Sequence, residues 1–126
     1  MSKMILVVDD EDLVLSTLVN VFERAGYEVE SARSGHEVLD VLKKKDIQVC
    51  FVDLKMPDMD GLELCRRIKE LNPKAHVHAL TGHATDYDIA KCREAGFDDY
   101  FLKPFKVETI RNAADAAFAK IQRWET

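Results

Sequence analysis

The chain has 126 residues, 23 of them acidic and 18 basic, for a formal net charge of −5. That length suits one domain with a real hydrophobic core and no second folded unit, so 1–126 is expected to be a single domain. The mixed, mildly acidic charge gives no reason to expect nucleic acid or an anionic membrane as a partner, and no apolar run nears the roughly 20 residues a bilayer span needs.

Cys50, Cys65 and Cys92 are odd in number, lack metal-ligand spacing and fall in apolar or amphipathic stretches. They read as small buried hydrophobes kept reduced. The start MSKMILVVDD lacks a cleavable signal pattern, so a cytoplasmic location is expected.

Short apolar runs alternate with longer amphipathic stretches along the whole chain. The run 4–8 is apolar throughout, as burial on both faces requires, and reads as a central strand ending in Asp9 and Asp10. A helix follows with Leu15, Leu18, Val19 and Phe22 at helical spacing, closed by Gly26. Residues 27–32 alternate polar and apolar, which suits an edge strand outside the first. Ser34 with Glu37 reads as a capping box opening a helix that carries Val38, Leu39 and Leu42.

The run 49–52 is a second central strand, ending in Asp53. Asp60 with Glu63 repeats the capping pattern before Leu64 and Ile68, and Asn72-Pro73 ends that helix. Residues 77–80 lead into Thr81, and a shorter, more polar helix over about 85–95 stops at Gly96. With little strongly apolar surface it is expected to be the least firmly anchored. Residues 100–102 lead into Lys103, and Val107, Ile110, Ala114, Phe118 and Ile121 form the core stripe of a last helix. Ala113, Ala116 and Ala117 flank that stripe as either a partner-packing surface or plain helix formers.

Five such units predict an α/β fold, a doubly wound five-stranded parallel sheet of order 2-1-3-4-5, flavodoxin-like (βα)5, in a three-layer sandwich. Ligands in such sheets bind beyond the carboxyl ends of the strands, near the switch point between strands one and three. Asp9, Asp10, Asp53, Thr81 and Lys103 would therefore converge on one rim.

Three crowded carboxylates repel one another, and a hard divalent cation with oxygen ligands relieves them, Mg2+ keeping some of its waters or Mn2+ in its place. Asp53, before a loop with Pro57 and Gly61, is placed to attack phosphorus as a nucleophile. Lys103 adds positive charge and Thr81 a hydroxyl toward a phosphoryl oxygen. Phosphoryl transfer is chiefly positioning and charge stabilisation, so it needs no histidine base.

Val8-Asp9-Asp10-Glu11, the run from Val52 to Pro57 with Asp60-Gly61 after it, Leu80-Thr81-Gly82 and Lys103-Pro104-Phe105 together resemble the receiver domain of two-component response regulators, over essentially the whole chain. The resemblance implies a phosphorylation-dependent switch in which Asp53 takes a phosphoryl group from a sensor histidine kinase or a phosphotransfer protein. It implies Mg2+ bound directly by Asp10 and Asp53 and by the backbone carbonyl of Lys55, with Asp9 acting largely through water. It also implies that Thr81 and Tyr100 move with phosphorylation and alter the surface of helix four, strand five and helix five, and that Lys103-Pro104 is a candidate cis bond.

Lys55 and His83 stand where receivers vary, and are read as tuning the lifetime of the phosphorylated state. His36, His76 and His78 lack ligand spacing and read as structural or exposed.

The resemblance implies no enzyme in the ordinary sense, only self-directed phosphorylation and dephosphorylation. A haloacid-dehalogenase-like phosphatase needs a second acid where Lys55 stands. A nucleotide site would need a glycine-rich loop where the first strand runs into acid. A receiver fold kept only as an interaction module sits poorly with the intact Asp10, Asp53, Thr81 and Lys103. The downstream protein target is unknown, a homodimer is an open alternative, and no effector domain follows Trp124, so output is expected through protein contact unless the chain is part of a longer regulator.

Overall fold

The computed structural model describes residues 3–82 and 85–125, the side chains of 86 and 87 apart, so His83 lies outside the described residues. In chain order it contains β1 (Met4–Val8), α1 (Asp12–Arg24), β2 (Glu28–Ala32), α2 (Gly35–Lys44), β3 (Val49–Asp53), α3 (Gly61–Leu71), β4 (His76–Thr81), α4 (Asp86–Ala95), β5 (Asp99–Leu102) and α5 (Val107–Glu125). All strand pairs are parallel and the order is β2-β1-β3-β4-β5.

Strand alternation divides the core between the two faces. Ile5, Val7, Phe51 and Leu80 pack against Leu18 and Phe22 of α1 and Ile110, Ala114 and Phe118 of α5. Leu6, Val8, Cys50, Val52 and Val77 pack against Val38, Leu64, Ile68 and Cys92 from α2, α3 and α4. This is the three-layer arrangement expected. Phe51 stacks on His78 at 4.5 Å between ring centroids, and the His78 Nδ1–H donates to the Cys50 carbonyl at 3.1 Å. Burial pushes the His78 pKa down, so a neutral ring serves as a core aromatic. All three cysteines are free and buried, and burial pushes the thiols of Cys50 and Cys65 up to about 12.

Helix ends follow the sequence with two differences. Ser34 Oγ accepts from the Glu37 N–H at 3.2 Å, but the Glu37 carboxylate reaches back to the Arg33 N–H, one residue beyond the capping-box position. Asp60 accepts from the N–H groups of Leu62 and Glu63, while Glu63 turns along the helix to Arg66 and Arg67 instead of returning to the cap. Nearby guanidinium groups compete successfully for a carboxylate that a capping box would use.

The expectation for α5 needs correction. Val107 is 43% exposed because it opens α5, before the helix settles on the sheet, and Ala117 is buried in the stripe instead of flanking it. Tyr100 and Leu102 are also exposed. They belong to an edge strand, and among the described side chains of the neighbouring helix α4 the buried ones are small, Cys92 and Ala95. No helix among the described residues is long and apolar enough to cross a membrane.

Candidate functional site

Register gathers the rim residues. Val8 pairs with both Ala32 and Val52, Asp53 with Leu80, and Thr81 with Leu102, so the strand ends from β2 to β5 align on one edge. Asp9 and Asp10 follow β1 there and Lys103 follows β5, across a cleft of about 560 Å³ that Lys55 also lines. Toward α4 the cleft is bounded by Asp88, Lys91 and Cys92.

Asp9, Asp10 and Asp53 each bring a carboxylate oxygen within 4.8 Å of the other two. Asp9 is fully buried, anchored by its N–H to the Ala32 carbonyl at 3.2 Å and accepting from the Glu11 N–H at 3.0 Å. Asp10 is exposed at the cleft mouth. Asp53 is 5% exposed and accepts from the Lys55 N–H at 3.2 Å. Glycine at position 61 lets the loop fold back behind it: a Cβ there would lie 2.7 Å from Leu54 Cα.

Lys103 Nζ lies 2.8 Å from Asp9 Oδ2, 3.6 Å from Asp53 Oδ1 and 3.8 Å from Glu11 Oε1. Burial works against its charged form, but the hydrogen bond to Asp9 and the charges of Asp53, Asp9 and Glu11 prevail and raise its pKa. Burial, then repulsion from Asp9, pushes the Asp53 carboxyl up to about 6, against the opposing pull of the Lys55 N–H and Lys103. The site is thus under-neutralised, and its hard oxygen donors fit a divalent cation.

Thr81 is buried at the end of β4 and lines the cleft. Lys55 is exposed on the loop and makes no ion pair with a rim carboxylate among the described residues, where Lys103 supplies that charge. The Lys103-Pro104 bond is cis, as expected. Tyr100 stands outward on β5, opposite Ala79 on the side of the sheet that carries Thr81. His36 is exposed and contacts the Asp58 carboxylate through Nδ1, and His76 is partly buried at the start of β4. Two contributors are not apparent from sequence, Glu11 beside Lys103 and Asp58 in the loop after β3. Glu11 lies within the acidic run, but nothing in spacing points from Asp58 to α2.

Fold and rim together define a flavodoxin-like protein with an acidic centre and one lysine at its switch point. The family model described as response regulator receiver domain matches residues 5–115. This chain belongs to that family of phosphorylation-dependent signalling switches, which work with sensor kinases or phosphotransfer proteins.

It is 33% identical over 113 residues to sporulation initiation phosphotransferase F of Bacillus subtilis, covering 90% of this chain and 91% of that protein. It is 34% identical to the alkaline phosphatase synthesis transcriptional regulatory protein PhoP of the same organism, over 87% of this chain but 46% of PhoP. Against the Escherichia coli sensor histidine kinase RcsC it is 34% identical over 86% of this chain and 11% of the relative. The chain thus spans nearly all of one relative and less than half of the other two. Among solved structures, the BeF3-activated DrrB receiver domain superposes with a TM-score of 0.88 at 31% identity, covering 94% of this chain and 99% of that one. A CheY-like receiver domain protein from Methanospirillum hungatei gives 0.85 at 31% identity, covering 95% and 99%.

Proposed function

We propose that 1–126 is a single receiver domain in which Asp53 is the phosphoacceptor, and that this is its role in a cytoplasmic signalling pathway. One observation carries the reading: Asp53, two further carboxylates and Lys103 meet at one rim although they come from distant parts of the sequence. A carboxylate oxygen of Asp53 attacks the phosphorus of a donor phosphohistidine. The new O–P bond forms as the P–N bond breaks, and the departing imidazole takes up a proton. Lys103 meets the negative charge on the transferring group, and the Thr81 hydroxyl donates to one of its oxygens. Hydrolysis of the acyl phosphate returns Asp53 and inorganic phosphate.

Mg2+ would be held by Asp10, Asp53 and the Lys55 carbonyl, with Asp9 acting through water. When bound it neutralises the carboxylates and polarises the phosphoryl oxygens. Phosphorylation adds charge and strong acceptors beside Thr81, drawing its hydroxyl inward and giving Tyr100 reason to leave its outward position, so that the α4, β5 and α5 surface changes. Output then passes to a protein target recognising that surface.

A small-molecule phosphodonor with Mg2+ should add one hydroxylamine-labile phosphoryl group, read by intact mass. Catalytic turnover of a phosphomonoester instead would favour a phosphatase and overturn the assignment. Lys55 and, from its place in the sequence, His83 border the approach of water to the acyl phosphate, and we assign them to tuning its lifetime. Decay of the phosphorylated protein measured in Lys55→Ala and His83→Ala should differ from the parent; identical decay in both would remove that role.

A further inference from the structure

The loop from Leu54 to Asp60 joins the phosphoacceptor strand to α3, and besides the Lys55 N–H to Asp53 and the Asp60 cap of α3 it is tied to the rest of the fold at two places. Near its start, the Leu54 N–H donates to the Leu80 carbonyl and the Leu54 carbonyl accepts from the Gly61 N–H, both at 3.0 Å. Toward its far side, the Asp58 carboxylate accepts from the N–H groups of Gly35 and His36, each at 3.0 Å, and pairs with His36 Nδ1. Met59 packs beside this contact so closely that a Cβ at Gly35 would lie 2.9 Å from Met59 Cβ. Between the two ties lie only Lys55, Met56 and Pro57.

Capping α2 does not by itself account for Asp58. Ser34 already caps that helix through the Glu37 N–H, and the first two N–H groups of an exposed helix end are otherwise satisfied by water. Here a carboxylate 22 or 23 residues away takes both, at the end of the helix where the peptide dipoles favour an anion. The hydrogen bond from Gly35, partly opposed by burial and joined by those from His36, holds the Asp58 carboxyl near 2, so the tie persists at neutral pH. The element gaining most from the contact is the loop, whose other ties are the Leu54 and Gly61 hydrogen bonds, the Lys55 N–H to Asp53, the Asp60 cap of α3 and the packing of Met56 and Met59 on the core; none of these reaches α2 by a hydrogen bond.

We propose that Asp58 is a positioning residue for the cation site: by clamping the loop to the N-terminus of α2, it fixes the backbone at Lys55, whose carbonyl completes the ligand set. This rests on the functional reading above, because it assumes that the rim takes Mg2+. The clamp also makes α2 a support of the site, although α2 contributes no residue to the cleft.

Mg2+ titrations followed by the amide chemical shifts of residues 54–60 test it in the full chain. Asp58→Ala should weaken Mg2+ binding about tenfold, the lower end of the range for residues that orient metal ligands from outside the coordination shell. Asp58→Asn, able to accept only part of the paired N–H donation, should fall between. Ser34→Ala is the control: it lowers the thermal midpoint by weakening α2 but leaves the loop tie in place, so it should retain the parent affinity. Parent affinity in Asp58→Ala would overturn the clamp while leaving the functional reading intact. Equal weakening in Ser34→Ala would overturn it too, since helix stability would then explain the effect. A parent that binds no Mg2+ would sink both.

Discussion

Asp53→Asn is expected to take up no phosphoryl group under conditions that load the parent, and yet to be the more stable protein at neutral pH without metal. The first effect follows from chemistry: an amide oxygen is a far poorer nucleophile toward phosphorus than a carboxylate. The second follows from where the carboxylate sits. In the folded chain its pKa is pushed up to about 6 from an ordinary 3.8, by burial first and by Asp9 second. The folded state therefore binds this proton more tightly than the unfolded state does, and the metal-free parent loses stability as pH rises from about 4 to about 6.

The shift converts to about 3 kcal/mol as a ceiling, and contact with an open, solvated cleft reduces that to about 1–2 kcal/mol. Urea denaturation in a chelator at pH 5, 6 and 7 should show Asp53→Asn gaining on the parent across that interval. Saturating Mg2+ should reverse the order, since a ligand at 100 times its dissociation constant stabilises the parent by about 2.7 kcal/mol. Equal stability of the two proteins at pH 7 in chelator would remove the picture of an under-neutralised rim.

The same crowding explains why so much of this site is legible in the amino-acid sequence. Apolar runs buried on both faces mark β1 and β3 as central, and in a doubly wound sheet their carboxyl ends must adjoin, which brings Asp9, Asp10 and Asp53 together. What escapes such a reading is set by side-chain competition and not by pattern. Glu63 stands where a capping box wants it, but Arg66 and Arg67 capture it. Val107 has the right helical phase for the core, yet it opens α5 and stays exposed. The predicted strand order puts β5 at an edge, but the degree to which Tyr100 and Leu102 are exposed there depends on how a helix covers the strand, and among the described side chains α4 buries Cys92 and Ala95. Asp58 carries no signal because its partners, two backbone N–H groups, have no signature in the sequence.

Lys103→Met tests the opposite side of the balance. It keeps most of the side-chain volume but removes the cation that stands 2.8 Å from Asp9 and 3.6 Å from Asp53. Asp9 is fully buried, so the change strands a charge that retains only the Glu11 N–H as a close partner among the described contacts. Breaking a buried pair from one side costs about 3 kcal/mol, and that is the loss expected in metal-free denaturation at pH 7. The raised pKa of Lys103 means that its stabilisation is fully present at neutral pH and is lost only as pH climbs through the alkaline range of the folded lysine.

Function should suffer through two routes that a pH profile separates. Loss of charge stabilisation on the transferring group is expected to slow phosphorylation about 100-fold. Loss of the lysine also releases Asp53 from one of the influences holding its pKa down, so the carboxyl should titrate above its present value of about 6. The residual rate of Lys103→Met should therefore continue to rise with pH beyond the point where the parent levels off. Adding Asp53→Asn to Lys103→Met should recover part of the lost stability, because it removes one of the carboxylates the lysine was neutralising. Strict additivity of the two changes would mean that Lys103 and Asp53 do not share a field, contrary to their separation across the rim.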